Sequence, residues 1–265
     1  MSRESGQKTR SGAQTVERAF DVLKQIAASN SAGATVADLL PCVQLNRTTV
    51  HRLIKCLEKE GAIRRDGIHK RYFLGPLAYA LGVAARQRFD LKALCAPALS
   101  RIASETGDTT FLMLRSGNDA VCIERKLGSY PVKTLVVEVG TRRPLGIGAG
   151  SLAILSALPD AETHRVLTAV DARLAAYGAS CNSLLNAVRT TRQAGYSSGY
   201  VYGVESVIAV GVPILDDAAH PIAAFSVAAI EKRMPKTRQR MLARLLRRET
   251  AELHESMRSA GILDC

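Results

Sequence analysis

Gly195-Tyr-Ser197-Ser-Gly199 is the one stretch of this chain that spells a bond-breaking pattern. Gly-x-Ser-x-Gly is the nucleophile elbow of hydrolases, in which a strained turn from strand to helix lifts a serine hydroxyl clear of the sheet. Here a helical pattern precedes the serine and a strand pattern follows it, the reverse order, so Ser197 is not expected to be a nucleophile. Gly146-Ile-Gly148-Ala-Gly150-Ser151 resembles a dinucleotide-binding loop, yet Ser151 stands at the last glycine position and no βαβ unit follows. Its physical content is simpler. Backbone amides free of side chains at a helix start form a nest for a small anion or carboxylate, and a plain tight turn has the same sequence. The five histidines and six cysteines show no metal-ligand spacing and no Cys-x-x-Cys pair. No catalytic residue, metal or cofactor is therefore expected.

A second chemistry lies at residues 44–74, that of recognising a polyanion. Val50, Leu53, Ile54 and Leu57 recur at i, i+3, i+4 and i+7, one stripe of a helix. The rest of that helix carries Arg47, Thr48, His51, Arg52, Lys55 and Lys59. Asn46 is a good N-cap and Gly61 a good left-handed C-terminal residue. Two short runs then flank Asp66-Gly67, with Arg64, Arg65, Lys70 and Arg71 on the predicted hairpin. A cationic helix followed by a basic hairpin is the sequence form of a winged helix-turn-helix, with one helix for a major groove and one hairpin for the flanking backbone. Asn46, Arg47, Thr48, Thr49, His51 and Arg52 are the candidates for the groove. Arg47 and Arg52 suit guanine edges, while Thr48, Thr49 and His51 suit bases or phosphates. Arg64, Arg65, Lys70 and Arg71 are the candidates for the backbone.

Composition agrees with two domains. The 265 residues are 47% hydrophobic, and the formal charge of +12 sits at the ends: +6 within residues 1–75, +6 within 232–258, and near balance between. Such placement suits a polyanionic partner, and it also suits a solubility surface. Cys56, Cys95 and Cys122 fall in apolar patterns, where a free cysteine is usually a small core residue. The N-terminal residues lack the apolar region of a leader peptide. The longest apolar run, Val207 to Leu215, is about half of what a bilayer requires. These features point to a reduced, cytoplasmic protein without a membrane partner.

The elements that must position these groups follow from periodicity. Residues 1–13 read as a disordered basic tail. Helices are expected over 14–29, over a short segment after a Thr35 cap with Leu39 and Leu40 inward, and from Asn46 to Gly61, with a turn over 41–45. The winged module would span 14–75, a linker helix 76–90, and a second domain 91–265. In that domain, strands are expected at 109–114, 120–126, 132–139, 207–215 and 222–230. Helices are expected from Leu91, over 151–158, 161–177 and 181–194, and over 235–259. Leu242, Leu245, Leu246 and Leu253 of the closing helix suit packing on a sheet or a partner subunit. Strands interrupted by helices imply an α+β fold with an antiparallel sheet.

The chain resembles the IclR family of bacterial transcription regulators. The resemblance rests on Thr15-Val-Glu-Arg-Ala-Phe-Asp-Val-Leu, Asn46-Arg-Thr-Thr-Val-His-Arg-Leu-Ile and Lys70-Arg-Tyr-Phe-Leu-Gly-Pro. Gly195-Tyr, Ile208-Ala-Val-Gly-Val-Pro-Ile-Leu-Asp and Pro221-Ile-Ala-Ala-Phe-Ser-Val extend it through the second half. It implies a GAF-like effector-binding domain, a homodimer or dimer of dimers, a double-stranded DNA operator, and a small organic acid as effector. Carried over by position, Gly148 and Ala149 would offer amides to a carboxylate and Ser226 a hydroxyl. Ser151 replaces a lysine usual in the family, no histidine follows Leu145, and Gly199 stands where some members place an acidic residue, so the ligand's identity does not transfer. By charge alone, Arg142 or Arg143 could meet an anion; Arg143 is taken as the candidate. The competing functions are a DNA-binding dimer whose second domain is purely structural, and a small-molecule hydrolase.

Overall fold

The computed structural model describes residues 6–29, 32–43, 45–86 and 90–259. The chain divides into two compact units, residues 1–88 and 89–265.

The first unit is α1 (Gly6–Ala28), α2 (Val36–Val43), α3 (Arg47–Lys59), the strands β1 (Ile63–Arg65) and β2 (Tyr72–Leu74), and α4 (Pro76–Arg86). Of the expected tail, residues 1–5 lie outside the described residues, whereas 6–13 are the first turns of α1. The apolar stripes meet as periodicity requires: Val22 and Ile26 of α1, Leu39 of α2, and Val50, Leu53 and Ile54 of α3 form one buried cluster with Ile63 and Tyr72. Burial of each such side chain contributes about 1.5–3 kcal/mol. Thr35 and Asp38 cap α2 reciprocally. The Thr35 amide donates to the Asp38 carboxylate at 2.9 Å and the Asp38 amide to the Thr35 hydroxyl at 3.3 Å. The turn expected over 41–45 starts later, because α2 runs through Pro41 to Val43; Gln44 lies outside the described residues. In the segment 76–90, where a linker helix is expected, α4 runs to Arg86, and 87–89 lie outside the described residues.

The second unit is α5 (Leu91–Thr106), β3 (Thr109–Ser116), β4 (Asp119–Lys126), β5 (Arg142–Pro144), α6 (Ala149–Ser156), α7 (Asp160–Leu174), α8 (Cys181–Ala194), β6 (Ser197–Tyr200), β7 (Val207–Leu215), β8 (Pro221–Ile230) and α9 (Lys236–Ser259). Six strands make one antiparallel sheet in the order β5-β4-β3-β8-β7-β6. Period-two alternation sends Phe111, Met113, Ala209, Ala224 and Ala228 to a core shared with α6, α7 and α8. Leu112, Val210, Phe225 and Val227 go to the opposite face, against α5 and α9. Helices cover both faces, so the central strands read as continuous apolar runs rather than alternating ones. The leucines of α9 therefore pack on the sheet of their own chain.

Two expectations fail here. Residues 132–139 are not a strand. Their polar groups are taken by side chains instead of a ladder: Thr134 Oγ1 donates to Ala228 O at 2.7 Å, Arg143 to Val136 O at 3.2 Å, and Arg125 to Val137 O at 3.1 Å. Pairing with β4 begins at Gly140, whose amide donates to Cys122 O, and continues through β5. Cys56 is exposed rather than in the core, because it lies on the flank of α3 away from Val50 and Ile54. Cys95 and Cys122 are buried, which pushes their thiols up to about 12 and about 11.

Candidate DNA-reading face and ligand pocket

The start of α3 is fixed by Asn46, whose side chain accepts a hydrogen bond from the Thr49 amide at 2.8 Å. This cap sets where the first helical turn begins and so where Arg47 and Thr48 stand. Replacing Asn46 by alanine is expected to destabilise the unit by about 1 kcal/mol in denaturant melts. With Val50, Leu53 and Ile54 buried, the opposite side of α3 leaves Arg47, Thr48, His51, Arg52 and Lys55 exposed and Thr49 half-buried. Among the described residues, no ion pair involves Arg47 or Arg52.

In the hairpin, the guanidinium of Arg64 lies 5.4 Å from the ring centre of Phe73, and that of Arg65 lies 5.8 Å from Tyr72. Asp66 organises the tip by accepting from the Ile68 amide and from His69 Nδ1, each at 2.9 Å, and these bonds hold its carboxyl below the usual carboxylate range. Lys70 is exposed at the tip in a left-handed conformation, φ 55°. Arg71 differs from its neighbours. Its guanidinium turns back to donate to the carbonyls of Ala32 and Gly33, at 3.2 and 3.0 Å, and is 4.0 Å from Asp38. Through this one amino group it straps the wing to the loop before α2, while its side chain stays 41% exposed. Sequence gave no sign of this, since the carbonyls it meets are nearly forty residues away.

The second unit brings Arg143, Gly148, Ala149 and Ser226 to one small, partly open cavity of about 30 Å³. Gly148 precedes α6 with φ 93°, a conformation that side chains resist, and the first-turn amides of α6 face this end. Ser226 is buried, and its hydroxyl has no partner among the described residues. A Cβ built on Gly150 would lie 3.1 Å from that hydroxyl and 2.7 Å from Met113 Cγ, so glycine lets the first turn of α6 sit close against β3 and β8. Arg142 does not share this cavity. It pairs with Asp119 at 3.2 Å and with the Ser116 hydroxyl at 3.0 Å. Ser151 is buried and closes the turn, accepting from the Gly146 amide at 3.0 Å and reaching Pro144 O at 3.2 Å. The remaining walls are apolar, among them Phe111, Met113, Val137, Val201, Ala209 and Ala228. Sequence alone does not group these, because Phe111, Met113, Ala209 and Ala228 come from alternate positions on separate strands and Val137 and Val201 from the connecting loops.

Ser197 has a structural explanation. Its hydroxyl is buried, 2.6 Å from Ala149 O and 3.1 Å from Gly211 O, and so ties β6 to the first turn of α6. Gly195 is the left-handed C-cap of α8, φ 72°, which accounts for the first glycine of the motif. Gly199 is exposed on the edge strand and does not line the cavity. No group of His, Cys, Asp and Glu suited to a metal occurs among the described residues, and no described helix is long and apolar enough to cross a membrane.

Family models described as the IclR helix-turn-helix domain and the bacterial transcriptional regulator IclR C-terminal domain match residues 15–67 and 83–254. The chain is similar to the HTH-type transcriptional regulator KipR of Bacillus subtilis, 28% identical over 206 residues that cover 77% of this chain and 82% of that protein. In fold it is similar to an IclR transcriptional regulator from a Silicibacter species, with TM-score 0.75, 21% identity, and 92% and 96% of the two chains covered. An IclR homologue of Microbacterium hydrocarbonoxydans, complexed with 4-hydroxybenzoate, matches with TM-score 0.64 and 20% identity over 92% and 99% of the two chains.

Proposed function

This chain belongs to the IclR family of bacterial transcriptional regulators, and from that premise we propose that α3 and its wing read an operator while the cavity beside Gly148 takes a small organic acid that alters operator affinity. The observation that carries the DNA-reading half is the segregation on α3, where Val50, Leu53 and Ile54 are buried and Arg47 and Arg52 face outward with no ion pair among the described residues. The effector half rests on the convergence of free amides, an unpartnered hydroxyl and Arg143 on one cavity. It is supported by the relative whose structure holds 4-hydroxybenzoate. The Ser226 hydroxyl lines the cavity with no hydrogen-bond partner among the described residues, which favours a ligand over a purely structural second domain.

In this proposal residues 14–75 are the DNA-binding module, 76–90 the connection and 91–265 the effector-binding and oligomerisation domain, and the protein works in the cytoplasm. A homodimer, or a dimer of dimers, suits the apolar side chains left exposed on α1 and α4: Val16 and Phe20 on the first, Tyr79, Leu81 and Val83 on the second. Ligand binding would shift the population of arrangements of the two DNA-binding modules. A coupling of about 1–3 kcal/mol corresponds to a 5–150-fold change in operator affinity. The operator can be obtained by selection from random duplexes and titrated with and without a confirmed ligand. Unchanged affinity with ligand bound would refute the coupling.

The wing supplies a sharper test. Arg64→Ala is expected to weaken binding alike on every duplex and to flatten the slope of log K against log salt by about 0.9. Arg71→Ala is expected to leave that slope unchanged and instead to lower the melting temperature, because its guanidinium is committed to Ala32 and Gly33.

A further inference from the structure

The cavity beside Gly148 is lined by only three polar side chains, Arg143, Ser151 and Ser226, and this narrows the effector proposed above. At the start of α6, the first-turn amides lie beside Ser226, a residue 6% exposed whose hydroxyl has no partner among the described residues. Arg143 is the sole charged residue among the described lining residues, and one of its amino groups already donates to Val136 O at 3.2 Å. Ser151, the other lining hydroxyl, is committed to Gly146 and Pro144 within the turn. Beyond this anchor, Phe111, Met113, Val201, Ala209 and Ala228 offer no side-chain donor and no second cation.

We propose that the pocket selects monocarboxylates with a compact, uncharged and apolar body, and discriminates against acids that carry a second carboxylate. The inference rests on the effector reading of this cavity. One carboxylate meets the α6 amides, the Ser226 hydroxyl and the free face of Arg143, where charge-assisted bonds are strongest. The body of the ligand lies on the apolar walls. A second carboxylate there leaves water without a replacement partner, and an unpaired charge is far costlier to bury than an unpaired dipole. Discrimination is a difference of affinities produced by that repulsive wall.

Matched pairs isolate the variable: butyrate against succinate and benzoate against terephthalate, each titrated calorimetrically into the full chain, and into Arg143→Leu and Ser226→Ala. Butyrate or benzoate is expected to bind at least tenfold more tightly than its dicarboxylate partner, and each variant to weaken the monocarboxylate at least tenfold. The pairwise comparison uses the unaltered protein, so it stands even if a variant folds poorly. Succinate or terephthalate binding as tightly as its partner, and still sensitive to either variant, would overturn the selectivity and leave the effector pocket standing. No binding by any of the four acids, or binding indifferent to both variants, would remove the effector pocket and the selectivity together.

Discussion

A chain with both Arg47 and Arg52 changed to alanine is expected to lose about 2–6 kcal/mol of operator binding, at about 1–3 kcal/mol for each base-reading arginine. That is roughly thirty-fold to twenty-thousand-fold in affinity. Both side chains are exposed on α3, so the fold should change by no more than about 0.5 kcal/mol, and the loss cannot be laid on unfolding. The informative quantity is the difference between duplexes. If the arginines meet guanine edges, affinity falls far more on the selected operator than on a scrambled duplex of equal length. If they meet phosphates, both fall together and the salt slope flattens by about 1.8 for the pair. Fluorescence anisotropy on the two duplexes at several salt concentrations separates these outcomes. Undiminished operator affinity would mean that α3 does not enter the groove.

The second large effect concerns the scaffold beneath the pocket. Phe225→Ala is expected to destabilise the second unit by about 3–5 kcal/mol. Phe225 is fully buried in β8, paired in register with Leu112 of β3 and Val212 of β7, in the core shared with α5 and α9. Its ring lies on the face of β8 opposite Ser226, so the cavity loses support from behind without losing a lining group. A loss of that size is a large part of the 5–15 kcal/mol by which domains are usually stable. Met241→Ala, at a side chain 46% exposed on α9, is the control and should stay within about 0.5 kcal/mol. Urea unfolding followed by far-UV circular dichroism compares the two. Equal midpoints would show that the sheet does not depend on this ring.

The helices most legible in the sequence were those whose burial is one-sided. α3, α8 and α9 keep an apolar stripe against polar faces, and their spans match periodicity closely because the 3.6-residue repeat is itself the record of which side is buried. α6 was harder, since all eight of its residues are buried and nothing alternates; its glycine-rich start, not its pattern, marked it. Residues 132–139 misled for a related reason. Val132, Val136, Val137 and Val139 favour strands, but β-propensity cannot tell whether a ladder partner is in reach. Here arginine side chains took those carbonyls.

For the site, local sequence determined the chemistry available: the cap and cationic side of α3, the basic wing, and a glycine turn with bare amides at a helix start. These depend on contacts within a few residues, so spacing reports them. Tertiary structure alone decided which of those groups are free. It turned Arg71 inward to carbonyls of a distant loop, gave Arg142 to Asp119 and left Arg143 lining the cavity. It also placed the Ser226 hydroxyl beside α6 from the far end of the chain. Whether a polar side chain is spent within the fold or left for a ligand depends on pairings across long sequence separations, and those no local pattern encodes.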